Sequence, residues 1–513
     1  MEKKPLLTSG FENRFLPTTL FLTGSAILVI EIIGSRLLSP FFGVGLYVWS
    51  ALITITLMAL ALGYWLGGRW ADRNPSYKQL YFLILLAGFA VLFIPSVAPY
   101  LLPMTSDWEI RFGTLVSGAV LLGPSLLLLG MITPYAVKLN TPELGLVGRR
   151  TGTLYAISTV GSCFGSLLAG FFLIPYFGVQ KILYLISLLL ILIWIFSKLP
   201  IFKKNPLKLI LPFFLYLLIA WMPQRARDLK HFSTLYKTDS LYGELLVIER
   251  GEKRHLLIDG APNAGINKVN GFSLYPYTYY FELIPLINPL AKEALVIGLG
   301  GGSLVHRLRD YQMSVDVVEI DRAVLEIAKR YFYFQESPSQ VFIEDARHYI
   351  RRAHKKYDVI ILDVFNGDLA PMHLFTKESL QEMKGILSDE GILGINYIGF
   401  TEGPDSQVPR SILRTLQAVF PYTDVYLQDQ SERIKNMVFF TSLKSLNRKE
   451  PLEKCSQDWI REILKNLERQ RVTTWKEDSS IPTLVLTDDF NPIQVWNRKA
   501  AYSWRKQIQS HYQ

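Results

Sequence analysis

Cysteine is almost absent from this chain. Cys163 and Cys455 are the two in 513 residues, which excludes a disulfide scaffold and a cysteine-rich metal site. The seven histidines never fall into HExxH-like spacing, which argues against a zinc hydrolase, and no metal is expected. Charge is scarce too: 19% of residues are Asp, Glu, Lys or Arg, against 50% hydrophobic and 13% aromatic. With a mean hydropathy of +0.22, this balance excludes a disordered or fibrous chain and is high for a purely soluble enzyme. The net charge of +10 would suit nucleic acid. In so apolar a chain it reads instead as basic cytoplasmic loops, and no nucleic-acid partner is expected. The length suggests about three domains.

The hydrophobic excess is concentrated in residues 16–222, as seven apolar runs near 16–38, 47–68, 79–102, 112–137, 152–177, 180–197 and 207–222. Most are long enough to cross a bilayer, which takes roughly 20 residues. The first run is not a cleaved leader, because its flank Ser35-Arg36-Leu37-Leu38 is no small-residue cleavage site and more runs follow. Basic residues cluster in the tail 1–15 (Lys3, Lys4, Arg14), after run two (Arg69, Arg73, Lys78), after run four (Lys138, Arg149, Arg150) and after run six (Lys198, Lys203, Lys204, Lys208). Those segments are expected on the cytoplasmic side. The expectation is a multi-pass α-helical membrane domain over 16–222, of six to seven helices, in the cell (inner or plasma) membrane with the bilayer as its partner.

Some residues inside these runs carry information. Glu31, with Arg36 shortly after it, is either functional or half of a structural pair, since charge within a membrane is costly. Gly161, Gly165 and Ser166–Gly170 read as close helix packing. Gly63–Arg73 resembles the cytoplasmic loop motif of major-facilitator transporters, a short motif that by itself is weak evidence of transport.

After Pro223 the pattern changes. Tyr242–Glu249, a charged turn at Arg250–Lys253 and His255–Gly260 predict a small β-meander within a domain spanning 232–285. In 286–445, Ala294–Gly298 reads as a buried strand, followed by the turn Gly298-Leu-Gly300-Gly301-Gly302-Ser303 and a helix from Leu304. Glycines there let the backbone turn tightly and approach a ligand, with helix N–H groups directed at it. The strand Ser314–Glu319 ends in an acid 21 residues after Gly298, where ribose hydroxyls are bound in doubly wound folds. Helix 322–331, strand 341–343, the pair Glu344-Asp345, helix 346–354, strand Tyr357–Leu362 with Asp363 at its end, helix 376–387 and strand Gly391–Asn396 follow. This alternation predicts a Rossmann-like parallel sheet with ligands at the carboxyl ends of its strands.

The bland alternative is that the acids are helix caps, and Asp345 is the best placed of them. A nicotinamide site would use the glycine turn and Glu319 but does not ask for Asp345 and Asp363. Ribose on Glu319, an adenine amine on Asp345 and a reacting group near Asp363 fit a nucleoside without pyrophosphate, of the S-adenosylmethionine type.

These residues resemble the spermidine synthase family of aminopropyltransferases over 232–445. The motifs are Leu257–Gly260, Val296–Gly302, Val317–Asp321, Glu344–Ala346, Tyr357–Asp363 and Leu374–Thr376. The membrane half, through Gly63–Arg73 and Tyr155–Gly170, resembles the membrane-fused members of that family. The resemblance implies transfer of an aminopropyl group from decarboxylated S-adenosylmethionine to putrescine or a related amine, with release of methylthioadenosine. The donor is a co-substrate, not a permanently bound cofactor. By match, Gly298, Gly300, Gly302 and Glu319 would hold the nucleoside, Asp345 and Ala346 the adenine, and Asp363 would take the acceptor's proton. Soluble relatives are usually dimers or tetramers, so a homodimer is compatible with the resemblance.

The departures fall on the amine side. The family's loop Asp is replaced by Gly301, and Asp363-Val-Phe-Asn366 has Asn where the family has a second Asp. The Tyr-His-Glu acceptor motif lacks its His, and a Gln of the first strands is missing near Gly243. Replacement candidates are Asp368, otherwise a Gly-Asp turn residue, and Asp488 and Asp489, otherwise helix caps. Tyr275, Tyr277, Tyr279 and Tyr280 offer cation–π contacts or plain packing, with Tyr280 and Asn366 kept as candidate acceptor ligands. Two other readings stay open: an S-adenosylmethionine-dependent methyltransferase-like enzyme, or a non-catalytic polyamine sensor or transporter carrying a nucleoside-binding domain.

The cytosolic donor places the soluble domain on the cytoplasmic face. Seven crossings from a cytoplasmic N-terminus would put it outside. The run 207–222, short and holding Pro212 with Arg225, Arg227 and Lys230 after it, is therefore expected not to cross simply. The tail 446–513, with Trp459, Trp475, Trp496 and Trp504, is expected to be helical and to pack on the sheet.

Overall fold

The computed structural model describes residues 10–43, 45–73, 75–141, 147–198, 207–221, 231–364, 371–427, 434–445, 457–469, 471–472, 480–497, 499–500 and 503–504. The chain forms two compact units, one of residues 1–228 with 239–241, the other of 229–238 with 242–513.

The first unit is helical: α1 (Gly10–Phe42), α2 (Leu46–Arg73), α3 (Tyr77–Ser106), α4 (Ile110–Leu121), α5 (Gly123–Gly130), α6 (Ile132–Asn140), α7 (Val147–Leu168), a π turn (Ala169–Leu173) leading into α8 (Ile174–Phe177), α9 (Val179–Ser197) and α10 (Leu207–Trp221). Among the described residues, five helices are long and apolar enough to cross a membrane, Arg14–Phe42, Leu46–Arg73, Tyr77–Ser106, Val147–Leu173 and Val179–Ser197. A sixth span is available if Ile110–Leu121 and Gly123–Asn140, bent by 52° to each other, count as one. The run read as continuous over 112–137 is thus broken at Gly123-Pro124, where proline lacks the N–H that continues a helix. The last apolar helix is short, Leu211–Ala220.

Small residues set the helix spacing. A side chain at Gly161 or Gly165 of α7 would overlap the backbone of Phe21 or Ser25 on α1, and one at Gly24 would overlap Ser158. Ser25 Oγ donates to the Gly161 carbonyl at 2.7 Å, and Ser162 Oγ to that of Gly24 at 3.0 Å. Close packing therefore accounts for this stripe. Gly63 and Gly67 of α2 likewise face the backbone of α5 and Met131. Among the described residues no ion pair joins Glu31 to Arg36. Five positions apart on a helix, they point about 140° away from each other.

The second unit opens with an antiparallel meander in the order β1 (Ser233–Asp239), β2 (Glu244–Arg250), β3 (Lys253–Ile258), β4 (Ala261–Asn267). Alternation sends Leu245, Val247, Leu256 and Ile258 to one face, against Val324, Ile327 and Phe332. Short helices α11 (Tyr277–Tyr280) and α12 (Leu283–Ile287) lead into the main sheet.

Among the described residues that sheet has eight strands, in the order β12-β10-β11-β9-β8-β5-β6-β7. The strands are β5 (Glu293–Ile297), β6 (Ser314–Glu319), β7 (Gln340–Ile343), β8 (Tyr357–Leu362), β9 (Leu387–Phe400), β10 (Tyr422–Leu427), β11 (Ile434–Ser442) and β12 (Arg471–Val472). Helices α13 (Ser303–Asp310), α14 (Arg322–Tyr331), α15 (Ala346–Arg352), α16 (Lys377–Ile386) and α17 (Gln407–Gln417) connect them, followed by α18 (Asp458–Arg469) and α19 (Ile493–Trp496). The strands from β7 to β9 are parallel, but β11 pairs antiparallel with β9, and β10 with β11 and β12. The expectation of a parallel sheet is therefore corrected to a mixed one, because β9 runs on to Phe400 and gives a hairpin an edge to pair with. In the parallel part the order reverses between β5 and β8, the switch point where such sheets open a crevice beyond their carboxyl ends. In the tail, Trp459 of α18 packs edge-on against Phe272 and Tyr279.

Candidate active site

The glycine turn and Asp363 meet at that switch point. Asp363 N donates to the Ile297 carbonyl at 2.9 Å. Gly298, Gly300 and Gly302 have φ of +94°, +53° and +78°, the left-handed region that side chains disfavour. A Cβ on Gly298 would overlap the Asp363 carbonyl oxygen, and one on Gly302 would lie 2.5 Å from the Phe334 ring. The turn therefore needs glycine both for its dihedrals and for the closeness of β8. Gly301 has an ordinary φ, but a Cβ there would lie 2.9 Å from Phe332 and 3.2 Å from Ala264. Phe332 and the small sheet thus occupy the space an acidic side chain would need.

Glu319 is buried at the end of β6. Its Oε2 accepts from Leu299 N and its Oε1 from Asp321 N, both at 2.9 Å. Burial pushes its carboxyl up to about 7, although the amides of Asp321, Leu299 and Ile320 pull it back down. The two accepted amides tie the glycine turn to β6. Each carboxylate oxygen keeps acceptor capacity for a ligand hydroxyl.

Asp345 caps α15, with Oδ1 accepting from His348 N at 3.0 Å, and its Oδ2 lies 3.0 Å from His373 Nε2. Ala346 is the buried first residue of the same helix. Asp321 caps α14 in the same way, accepting from Ala323 N at 2.9 Å. The cap reading thus describes Asp345, and only one of its oxygens is used by the cap.

Asp363 is held differently. Its Oδ1 accepts from Asn396 Nδ2 at 2.9 Å and its Oδ2 from the Tyr277 hydroxyl at 3.2 Å. Burial pushes its carboxyl above the usual range, and both donors pull it down. Burial and the neighbouring carboxylate push the Tyr277 phenol far above its ordinary value, so it stays a donor at any pH of interest. A partly buried carboxylate at the carboxyl end of a central strand, with a raised proton affinity, is suited to accept a proton from a reacting group.

The other acceptor-side candidates are distributed unevenly. Asn366 and Asp368 lie outside the described residues. Asp489 is exposed. Asp488 makes a bidentate pair with Arg347, both contacts at 2.7 Å, and Arg347 also meets Glu382 at 2.8 Å. Its carboxyl is held below the usual range by Arg347. The expectation that Asp488 serves an amine therefore meets a competing partner, one that ties the C-terminal segment to α15 beside Ala346. Tyr280 is buried in the core beside Phe281, whereas its neighbour Tyr277 reaches Asp363. Tyr277, stacked on Tyr275 at 6.3 Å, makes a hydroxyl contact that residue type alone did not assign. Asn396 and Arg347 were not singled out from sequence, although a lone Asn within Gly391–Ile398 was a visible signal. Asn263 of β4 also faces the turn, its Oδ1 3.4 Å from where a Gly300 Cβ would stand.

Known proteins resemble this chain in sequence. The model of the spermine/spermidine synthase domain matches residues 282–450. A polyamine aminopropyltransferase from Vibrio vulnificus is 31% identical over 277 residues, covering 51% of this chain and 90% of the relative. Polyamine aminopropyltransferase 2 of Aquifex aeolicus is 24% identical over 433 residues, covering 78% of this chain and 82% of the relative. That share exceeds what the second unit alone supplies, so the similarity reaches into the helical half. An N-terminal histidine N-methyltransferase of Emericella nidulans is 34% identical over 158 residues, covering 29% of this chain and 28% of that protein. Matched over nine-tenths of the Vibrio protein's length, and by the family's own domain model, the chain belongs to the spermidine synthase family and is an aminopropyltransferase.

Proposed function

We propose that this enzyme is anchored in the cell membrane by its helical half and transfers the aminopropyl group of decarboxylated S-adenosylmethionine to putrescine or a related amine. The observation that carries the reading is the convergence of the glycine turn, Glu319 and Asp363 at one switch point of the sheet. Glu319 accepts hydroxyls of the ribose, while Asp345 and Ala346 bound the adenine. That leaves the sulfonium end of the donor near Asp363. One amine of the acceptor gives its proton to Asp363, and its lone pair attacks the carbon beside sulfur. The carbon–sulfur bond breaks with its electrons going to sulfur, the sulfonium charge is discharged, and methylthioadenosine leaves. An attack of this kind needs orientation and a proton acceptor, both of which the chain's own residues supply.

Six crossings, with the bent pair as one and the short Leu211–Ala220 helix not crossing, return the chain to the side of its N-terminus. Basic loops put that side in the cytoplasm, where the donor is made. A reporter fused after Gln513 should read as cytoplasmic; an extracytoplasmic signal would overturn this topology.

One observation favours keeping the intact cofactor in the test: the glycine turn has no carboxylate at 301 to select an amine and repel a carboxylate. The test is calorimetric binding of methylthioadenosine, decarboxylated S-adenosylmethionine and S-adenosylmethionine to the full chain in lipid nanodiscs. Methylthioadenosine release with putrescine or spermidine is followed in parallel. Preference for the decarboxylated donor with amine-dependent release is the expected result. Preference for the intact cofactor with transfer of a methyl group would replace the reading with a methyltransferase.

A further inference from the structure

We propose that Asn396 and Tyr277 are positioning residues for this transfer, holding the Asp363 carboxylate by both of its oxygens in one orientation toward the acceptor amine. The proposal rests on the reaction above and specifies what prepares its proton acceptor.

Asn396 sits within β9, opposite Val438 of β11, and is buried. Its amide donates 2.9 Å to Asp363 Oδ1, while its own carbonyl oxygen is buried with no hydrogen-bond partner among the described residues. Turning the amide over would set that oxygen against a carboxylate oxygen, acceptor to acceptor, so Asp363 dictates the orientation. A buried amide oxygen left empty works against folding, and native proteins keep such groups where something else requires them. The requirement here is the donated hydrogen bond. An apolar side chain would suit the surrounding strand, where Gly394 and Ile398 share the face of Asn396.

Tyr277 approaches from the opposite side, on α11, and donates to Oδ2 at 3.2 Å. Its ring stacks on Tyr275, whose hydroxyl lies 3.3 Å from His255 Nδ1 on β3. The second donor is thus braced against the small sheet. The glycine turn faces Asp363 only with backbone, through Gly298. Among the described residues no Lys, Arg or His makes a hydrogen bond or ion pair with Asp363, and Tyr277 is the titratable group in contact with it. Two neutral donors therefore oppose the effect of burial, and removing either raises the proton affinity of Asp363.

The test uses the full chain with Asn396→Leu and, separately, Tyr277→Phe. In each, the acidic limb of the kcat/KM profile should move to higher pH by about one unit, the tenfold that one hydrogen bond to a charged group is worth. Donor KM should stay within about twofold, because the nucleoside contacts are elsewhere. The melting temperature of Asn396→Leu should fall only modestly, because Asp363 Oδ1 loses its donor while the empty amide oxygen is removed with it. A lowered melting temperature with an unmoved acidic limb would make Asn396 merely structural and overturn the proposal. A second readout does not depend on turnover: the infrared carboxyl band that vanishes in Asp363→Asn should titrate at higher pH in both variants. If the wild-type chain transferred no aminopropyl group, the functional reading would fail while this band still judged the clamp. A band unmoved in both variants overturns the clamp itself.

Discussion

Glu319 and Asp363 end neighbouring parallel strands on either side of β5, and burial raises the proton affinity of both. Their partners differ in kind. Glu319 is held by backbone amides of its own turn and of the glycine turn, groups that any sequence with this fold would supply. Asp363 is held by two side chains from separate elements, Tyr277 and Asn396. On the proposed reading, the nucleoside half of the site would be made by the chain path and the acceptor half by chosen side chains.

The largest effect should come from the acceptor half. Asp363→Asn should lower kcat by about 10²–10⁴, the range for loss of a general base, while methylthioadenosine binds almost as before. Binding and turnover lost together would merge the two halves and break the comparison.

Glu319→Gln should do the reverse, weakening methylthioadenosine about 10–100-fold in calorimetry with a smaller change in kcat. The pH dependence has a definite sign. Ribose hydroxyls donate to the ionised carboxylate, so nucleoside affinity should rise as pH climbs through about 7, and the Gln variant should lose that slope. For the ligand-free fold the sign is opposite. A carboxyl raised from 4.5 to about 7 stabilises the native state below 4.5, and that contribution is lost as pH rises through 7. Thermal unfolding of the wild type against Glu319→Gln between these pH values checks it.

Gly301→Asp sharpens the account of the missing loop acid. With Phe332 2.9 Å from the new Cβ, it should destabilise by about 1–3 kcal/mol and bring no gain in affinity for the decarboxylated donor. A stable variant that bound this donor more tightly would show that the site has room for the carboxylate after all. The smallest effect is expected at the C-terminal clamp. Asp488→Asn leaves Arg347 its Glu382 partner and removes a half-exposed pair, so about 1 kcal/mol or less should be lost, with amine KM unchanged. A tenfold rise in amine KM would instead make Asp488 an acceptor ligand.

The features legible in sequence are those set by local backbone rules. Alternating apolar strands, the run of glycines after Ile297, and acids at strand ends read correctly because each depends on residues close in the chain. The pairing of β10 and β11 was not legible, since Tyr422–Leu427 pairs with Ile434–Ser442, which in turn declares itself only through pairing with β9. Nor was the Arg347–Asp488 pair, whose members are 141 residues apart and individually ordinary. Asn396 was visible as a polar residue in an apolar strand, but its partner could be found only in three dimensions. In the helical half the close approach at Gly161 and Gly165 was legible from small-residue spacing, and the bend at Gly123-Pro124 should have been.

The most direct measurement is product analysis with decarboxylated S-adenosylmethionine carrying an isotope label in its aminopropyl group, incubated with the full chain and putrescine. One labelled triamine is expected for every methylthioadenosine formed, with both products falling together by about 10²–10⁴ in rate in Asp363→Asn. Label retained on the nucleoside, or an amine methylated from the intact cofactor instead, would contradict it.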